Sequence, residues 1–171
     1  MWEHGDAIPT QTGAVRRILA EISFRVHDKN WLFENISLVR ECFPHLEYID
    51  ATDMELRLQS DHGVIVAECR GKPVGFTVWY ETLPGIAYIW LTGVAREQRG
   101  KGIGTVLRRT AIRELSKRGM RAVWCKISKE KTGWIKKHLE QGFRIVEHVR
   151  EDGKDLYKLA KVFRGDVVIA L

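Results

Sequence analysis

The spacing of hydrophobic positions changes several times along the chain, and each change predicts a new element. Residues 22–26 alternate between apolar and polar side chains, which is the period of a half-buried strand. Residues 14–21 either extend this strand or form a short helix, and residues 1–13 are expected to be a tail. From Asp28 the apolar positions follow a helical period that ends before Pro44, which predicts one helix.

A second helix is predicted over residues 52–59. Thr52 is placed to cap its N-terminus, and Glu55 stands at the third position of a capping box. Runs of β-branched and aromatic residues, separated by short turns with glycine and proline, then predict three antiparallel strands. These strands lie at residues 63–68, 74–81 and 87–94.

In the C-terminal half, helical and strand periods alternate. A long helix is predicted at 102–117, closed by Gly119, and a shorter one at about 130–140, ended by Gly142. Asp152-Gly153 lies between two alternating runs and predicts a hairpin turn. The three predicted strands of this half cover residues 122–127, 143–150 and 156–163.

The resulting element order is β-α-α-β-β-β-α-β-α-β-β. It predicts an α+β fold in which one strand-turn-helix-strand unit lies among antiparallel neighbours. We expect a central, mostly antiparallel sheet of about seven strands with about four helices. Residues 14–171 should form a single domain.

Length and composition agree with this prediction. The chain has 171 residues, which suit one domain, and its 44% hydrophobic and 29% charged residues are far from the composition of a disordered chain. It has no apolar run near the roughly 18 residues that span a bilayer, and its start lacks the pattern of a signal peptide. We therefore expect a cytoplasmic protein that does not engage a membrane.

The three cysteines do not predict a metal site or a disulfide framework. Cys42, Cys69 and Cys125 are odd in number, far apart and never in C-x-x-C spacing. We expect each of them to be a buried thiol, and we expect no bound metal.

The net charge of +6 is informative because of where the basic residues lie along the chain. Basic residues crowd one short stretch that is also rich in glycine, which suggests a phosphate site. These basic residues are Arg96, Arg99, Lys101, Arg108 and Arg109.

This stretch lies where a predicted strand ends and the long helix begins. Glycines let backbone N–H groups turn towards an anion, and a helix N-terminus adds unpaired donors and its dipole. Two common phosphate loops fit poorly, since Gly102 follows Lys101 where a P-loop needs Ser or Thr, and Thr105 stands where a dinucleotide loop needs glycine.

The segment Arg99-Gly100-Lys101-Gly102-Ile103-Gly104 instead resembles the Arg/Gln-x-x-Gly-x-Gly/Ala signature of the GNAT superfamily of acyl-CoA-dependent N-acyltransferases. The helix that ends at Gly142-Phe143 before a strand is similar to the second landmark of that family, and the element order matches over residues 22–163. The resemblance implies a GNAT fold and an N-acetyltransferase. Such an enzyme transfers the acetyl group of acetyl-CoA directly to a primary amine.

The resemblance also assigns the cofactor-binding residues. The strands at 87–94 and 122–127 would splay apart around the pantetheine arm. Val94, Ala95 and Arg96 would hydrogen-bond the pantetheine and polarise the thioester carbonyl. The backbone amides that would hold the CoA pyrophosphate are those of Arg99, Gly100, Lys101, Gly102, Ile103, Gly104 and Thr105.

The last predicted helix departs from the family pattern. Where the family often has asparagine, alanine and tyrosine, this chain has Lys131, Trp134 and His138. Lys131 either reaches a CoA phosphate or is a solvated surface lysine. His138 either protonates the leaving thiolate as the tyrosine would, or is a surface histidine.

The general base is also unusual, because Tyr88 stands where some members have a glutamate. The predicted catalytic residues are therefore His138 and Tyr88, with Tyr88 acting through a water chain beside Trp90, or with Glu81 acting instead. The aromatic residues of these strands either form core or wall an acceptor site. They are Trp79, Tyr80, Tyr88 and Trp90.

Three other functions are weighed against direct transfer. The altered helix would suit a non-catalytic acyl-CoA-binding regulatory module, which binds CoA without thiol release. A covalent intermediate on Cys125 lacks a histidine nearby in sequence to activate the thiol. Nucleic acid is not expected as a partner, because the basic residues come with no recognition helix or stacking signature. The acceptor amine has no readable signature, and a homodimer through the last strands is suggested only by the resemblance.

Overall fold

A computed structural model of the chain describes residues 20–44 and 51–165. The tail predicted at residues 1–13 and most of the ambiguous segment 14–21 lie outside the described residues. Neither end of the predicted single domain over residues 14–171 is among the described residues, so its bounds stay a prediction.

Seven strands form one sheet in the order β1-β2-β3-β4-β5-β7-β6. Every neighbouring pair is antiparallel except β4 and β5, which confirms the predicted α+β fold with a mostly antiparallel sheet. The strands are β1 Ile22–His27, β2 His62–Cys69, β3 Lys72–Leu83, β4 Ile86–Val94, β5 Ala122–Ser128, β6 Arg144–Glu151 and β7 Lys154–Val162.

The helices follow the predicted order with one correction. The helix predicted from Asp28 is two helices, because Asn35 leaves the helical conformation at φ −115° and ψ 30° and its Nδ2 donates to the Trp31 carbonyl at 2.9 Å. Asparagine side chains compete in this way with the helical backbone. Within the described residues the α-helices are α1 Asn30–Glu34, α2 Ile36–Cys42, α3 Ala51–Arg57, α4 Ile103–Lys117 and α5 Thr132–Glu140, and a short 3-10 helix covers Arg96–Gln98.

The predicted start of α3 is also corrected. Helix α3 begins at Ala51, so Thr52 is its second residue and does not cap it. The residue that precedes Ala51 lies outside the described ranges.

The sheet has a hydrophobic core on each face. Helices α4 and α5 cover one face, which we name the α4 face, where Leu107 and Ile135 pack with Ile89 and Cys125. Helices α1 to α3 cover the opposite face, which we name the α1 face. Full burial of a side chain such as Leu107, which is 0% exposed, contributes about 2 kcal/mol to folding.

Strand β4 pairs with β3 along most of its length but with β5 only at its start. Its parallel pairing with β5 covers only Ile86–Tyr88 against Ala122–Trp124, after which the two strands part. On its other edge β4 carries a bulge, because Leu91 and Ile89 lie opposite consecutive residues of β3 and leave Trp90 without a partner. The predicted splaying of these two strands is thus confirmed.

Helix α2 lies very close to β4 at Gly93. A β-carbon on Gly93 would come within 2.7 Å of Cys42 Cβ and 3.0 Å of Phe43 Cε2. Glycine inside a strand often marks such a close approach. This contact fixes the end of α2 over the point where β4 and β5 have separated.

We predict that Gly93→Ala lowers the free energy of unfolding by about 1–3 kcal/mol, because the added methyl group overpacks the α2–β4 contact. Gly133→Ala is the matched control, since a β-carbon there meets nothing within 4 Å. The control should leave stability equal or raise it by about 0.5–1 kcal/mol, because alanine favours the helix. Urea unfolding of both variants measures this, and equal stability of the two would contradict the packing.

Candidate functional site

The glycine-rich segment between β4 and α4 presents a row of free backbone donors. Gly100 and Gly102 have φ of 77° and 83°, which L side chains rarely adopt. Gly102 is the N-cap of α4, and no side chain caps this helix. Among the described residues, the backbone N–H groups of residues 100–104 donate no hydrogen bond. Five such donors at a helix N-terminus form a site for an anion.

Two basic side chains hold this segment in shape. Arg99 Nε donates to the Val94 carbonyl at 3.0 Å, and Lys101 Nζ donates to the Glu97 carbonyl at 3.0 Å and to Gln98 Oε1 at 2.8 Å. Their charges therefore satisfy carbonyl groups of the loop itself. These side-chain bonds leave the backbone amides free to meet a ligand, and Arg99 itself also contributes to the walls of the cavity above them.

A cavity, which we name the loop cavity, opens over this segment. Ala95, Arg96 and Lys101 are not among its walls. The predicted cofactor residues in its walls are Val94, Arg99, Gly100, Gly102, Ile103, Gly104, Thr105 and Lys131.

Sequence reasoning missed several walls of the loop cavity. Cys42 and Phe43 come from the end of α2, and only the tertiary contact at Gly93 brings them here. Gly93 itself was the one readable signal, as a glycine inside a strand. Lys137 was missed because α5 reaches the cavity only after it packs on α4.

Two predicted donors to pantetheine are already engaged. The Ala95 N–H donates to the Val74 carbonyl at 2.9 Å, and the Arg96 N–H donates to Glu41 Oε1 at 2.8 Å. Antiparallel bonds alternate along a strand, so Thr92 and Val94 direct their backbone groups away from β3, towards the parted side of β4. On this side of β4, the N–H groups that remain available to a ligand are therefore those of Thr92 and Val94, whereas the sequence predicted those of residues 94–96.

A second cavity, which we name the slot, occupies the gap between β4 and β5. Ile89 and Cys125 wall it on the α4 face, while Trp90 belongs to the α1 face, so the slot passes through the sheet. It shares Lys131 and Trp134 with the loop cavity. The two cavities therefore adjoin each other, and together they extend from the glycine-rich segment to the opposite face of the sheet.

Trp134 occupies the contact between α4 and α5. A β-carbon on Gly104 would lie 2.9 Å from Trp134 Cη2, so the indole fits only because residue 104 is glycine. The Arg108 guanidinium lies 5.1 Å from the centre of the indole ring. Trp134 stands where the family often has alanine, and Gly104 and Arg108 of α4 accommodate the larger indole.

His138 is a buried wall of the slot, with 5% of its surface exposed, so the interpretation as a surface histidine is wrong. Its Nδ1 lies 2.8 Å from the Trp134 carbonyl, which can only accept, so Nδ1 carries a proton. Burial, and next the charge of Arg108, lower the pKa of His138 to about 4. The ring is therefore neutral near pH 7, with Nε2 as an acceptor.

Tyr88 and Glu81 lie apart from the slot walls. Tyr88 is the last residue of β4 that pairs with β5, and its ring centroid is 4.2 Å from that of Trp124 and 5.5 Å from that of Tyr80. Burial raises the pKa of its phenol above the ordinary value, so the phenol stays protonated. Glu81 Oε1 accepts the Gly85 N–H at 2.6 Å in the β3–β4 turn.

The cysteines differ in their surroundings. Cys125 is buried, and burial raises the pKa of its thiol to about 12, so it is not a thiolate near neutral pH. Cys42 and Cys69 are only half-buried, which corrects the expectation for these two. Over residues 20–44 and 51–165 no cluster of potential metal ligands occurs, and no helix there is long and apolar enough to cross a membrane.

Lys131 precedes the first turn of α5 at the junction of the two cavities. Its side chain is exposed, yet the residue contributes to the walls of both the slot and the loop cavity. A cation at this junction lies beside the free amides of residues 100–104.

Solved structures of acetyltransferases share this fold. A ribosomal-protein-alanine N-acetyltransferase from Brucella melitensis aligns with a TM-score of 0.69 at 22% identity, covering 82% of this chain and 99% of that one. A GNAT family acetyltransferase from Elizabethkingia anophelis with acetyl-CoA bound aligns with a TM-score of 0.66 at 18% identity, covering 84% and 99%. The TM-scores establish a common fold and, at these identities, no more than that.

Sequence comparison establishes the family. An uncharacterized N-acetyltransferase from Methanocaldococcus jannaschii is 35% identical over 101 residues, which cover 56% of this chain. The matched region spans only 45% of that longer relative. The sequence profile of the acetyltransferase (GNAT) family, for which acetyl-CoA is the acyl donor, matches residues 26–143. The chain therefore belongs to the GNAT family of acetyltransferases.

Proposed function

We propose that this protein is an N-acetyltransferase that moves the acetyl group of acetyl-CoA directly to a primary amine of its acceptor. The observation that carries the proposal is that the loop cavity and the slot adjoin and share walls. One end offers free backbone donors for a pyrophosphate. The other passes between two parted strands to the opposite face of the sheet.

The residues present fit acetyl-CoA. The N–H groups of residues 100–104 would hold the pyrophosphate, and Lys131 and Lys137 would add charge beside it. Pantetheine would lie in the slot and pair with the backbone groups of Thr92 and with the Val94 N–H along the parted edge of β4, since the Val94 carbonyl already accepts from Arg99. Ala95, Arg96 and the Lys101 side chain would support this arrangement from behind rather than contact the ligand.

Transfer would take place where the slot crosses the sheet. Acetyl-CoA supplies the acetyl thioester, whose carbonyl carbon the amine attacks as the carbon–sulfur bond breaks. The amine would arrive from the α1 face, where Tyr80, Tyr88, Trp90 and Trp124 form an aromatic cluster. Aromatic side chains favour an acceptor with an apolar or cationic part next to its amine. Transfer would be direct, since the protonated Cys125 thiol is a poor nucleophile.

The titratable groups of the slot favour a mechanism that uses no protein acid or base. Its described walls contain no carboxylate, and His138 is neutral. An amine that loses its proton to water before attack needs no protein base, so a Tyr88-bound water would be sufficient. The acid role predicted for His138 requires an imidazolium, which a pKa of about 4 makes scarce near pH 7.

Because the described slot walls contain neither a carboxylate nor a charged histidine, one other candidate function is also favoured. A non-catalytic acyl-CoA-binding module of this fold would also lack a charged acid and base. It would bind CoA without releasing thiol in the presence of any amine.

A homodimer is a further proposal, supported by the edge strand β6, where Ile145 and Val146 are 44% and 47% exposed.

We predict that isothermal calorimetry detects acetyl-CoA and CoA binding to the wild type and that Gly102→Glu abolishes it, because a side chain and a negative charge enter the anion site. Gly71→Glu is the matched control, since Gly71 also has positive φ, at 75°, but lies in the β2–β3 turn. Its binding should equal that of the wild type.

The same preparation is then assayed for thiol release across a panel of primary amines and peptides. Amine-dependent release, strongest for acceptors with an aromatic group, supports acetyl transfer. Binding without release for every acceptor would favour the regulatory module, and no CoA binding would refute the proposal.

We expect His138→Asn to keep kcat within about threefold of wild type. The asparagine Nδ2 can replace Nδ1 as donor to the Trp134 carbonyl, and the neutral imidazole it replaces is a poor acid. A much larger loss of kcat, with acetyl-CoA affinity unchanged, would instead assign proton donation to His138.

The neutral state of His138 also predicts a pH dependence of stability. Its pKa is about 4 in the fold against the ordinary 6.5, so the unfolded chain binds this proton more tightly. Its contribution is complete above pH 6.5 and is lost as the pH falls from 6.5 towards 4. Between about pH 7 and about pH 5, urea unfolding should show that wild type loses about 1–2 kcal/mol more than His138→Asn. Equal losses would contradict the lowered pKa.

A further inference from the structure

Arg108 is a buried cation without a carboxylate partner. It is 1% exposed, on the inner side of α4. Lys158, the other buried cation among the described residues, pairs with Glu147 at 2.8 Å. No described carboxylate lies within ion-pair distance of the Arg108 guanidinium.

Neutral groups satisfy this guanidinium only in part. Its Nε donates to Gln141 Oε1 at 2.7 Å, its Nη2 reaches the Lys137 carbonyl at 3.5 Å, and its plane lies against the Trp134 ring. Its Nη1 is buried and has no partner. A buried cation with an unsatisfied donor opposes folding, whereas an apolar side chain of similar size would pack α4 on α5 without that penalty.

The position of Arg108 indicates what its charge can act on. It contacts Trp134, which walls the slot. Burial is the larger influence on the pKa of His138 and Cys125, which wall the slot as well. The charge of Arg108 lowers the pKa of His138 further and partly offsets the raised pKa of Cys125. The guanidinium therefore lies directly behind the wall, in surroundings of low dielectric. A charge is screened least in such a place.

We propose that Arg108 stabilises the negative charge that develops on the CoA sulfur when the acetyl group leaves. The inference rests on the proposed function and deepens it. The amine nitrogen uses its lone pair to form the new bond to the carbonyl carbon. The carbon–sulfur bond breaks, and sulfur keeps its electron pair as a thiolate. The proton of the amine passes to water, and the thiolate is stable beside the buried cation until water protonates it.

The other titratable groups that face the slot cannot replace this charge. On β5, Lys126 is bound to Glu151 at 2.8 Å, and the Cys125 thiol is neutral. Lys131, which precedes α5, is exposed and screened by water, and His138 of α5 is neutral. Cys42 of α2 borders the loop cavity and is not among the walls of the slot. Arg108 is thus the one buried cation behind the slot in the described part of the chain.

The test measures the pKa of the CoA thiol in the complex. Thiolate absorbance of bound CoA is titrated against pH, with bound S-methyl-CoA as the reference that cancels the thiols and phenols of the protein. The variants are Arg108→Met and, as matched control, Arg113→Met, which removes an exposed arginine from the same helix. Arg108→Gln is a second neutral variant that retains a donor for Gln141 and replaces Arg108→Met if that variant does not fold.

In wild type and Arg113→Met the pKa of the bound thiol should lie below that of free CoA by on the order of one pH unit. In the neutral variants of Arg108 this shift should vanish, and kcat should fall about tenfold. Their thermal unfolding temperature should equal or exceed that of wild type, because a buried unpaired charge has been removed.

A bound thiol pKa that is the same in wild type and in the neutral variants would overturn the inference while leaving the proposed function intact. A lower unfolding temperature together with an unchanged thiol pKa would assign Arg108 to packing alone. If wild type binds no CoA, the proposed function fails, and the inference fails with it.

Discussion

The early end of the pairing between β4 and β5 is the constraint on which the site depends. After Tyr88 and Trp124 the strands diverge, so the backbone groups of β4 that point away from β3 have no neighbouring strand. Unpaired backbone groups inside a protein are costly unless a partner satisfies them. A ligand that carries amides of its own, as pantetheine does, supplies that partner. The gap in the sheet and the affinity for an acyl carrier are then consequences of one feature.

Helix packing turns this gap into a chemical site. Trp134 fits against α4 because Gly104 has no side chain, and Arg108 lies against the same indole. This contact holds the neutral His138 and a buried positive charge along one wall of the slot. The family's usual tyrosine acid is absent, so we infer that the leaving sulfur is stabilised by charge rather than by proton donation. The unfavourable burial of Arg108 would then be a cost to folding that serves the reaction.

Much of the fold could be predicted because its elements are local. Alternation identified the strands, and the glycine-rich turn identified the start of α4 within one residue. The break at Asn35 was missed because the apolar stripe continues across it. The site was less predictable, since the engagement of the Arg96 amide by Glu41 and the contact of Cys42 with Gly93 depend on where α2 lies in three dimensions. No spacing in the sequence records such contacts.

The central claim is that CoA lies along the loop cavity and through the slot. A crystal structure of the protein with CoA tests it most directly. The account predicts pyrophosphate oxygens within hydrogen-bond distance of the N–H groups of residues 100–104, pantetheine between β4 and β5, and the sulfur next to the wall formed by Trp134 and His138. Pantetheine bound outside the sheet, with the gap between β4 and β5 filled by water, would contradict the account.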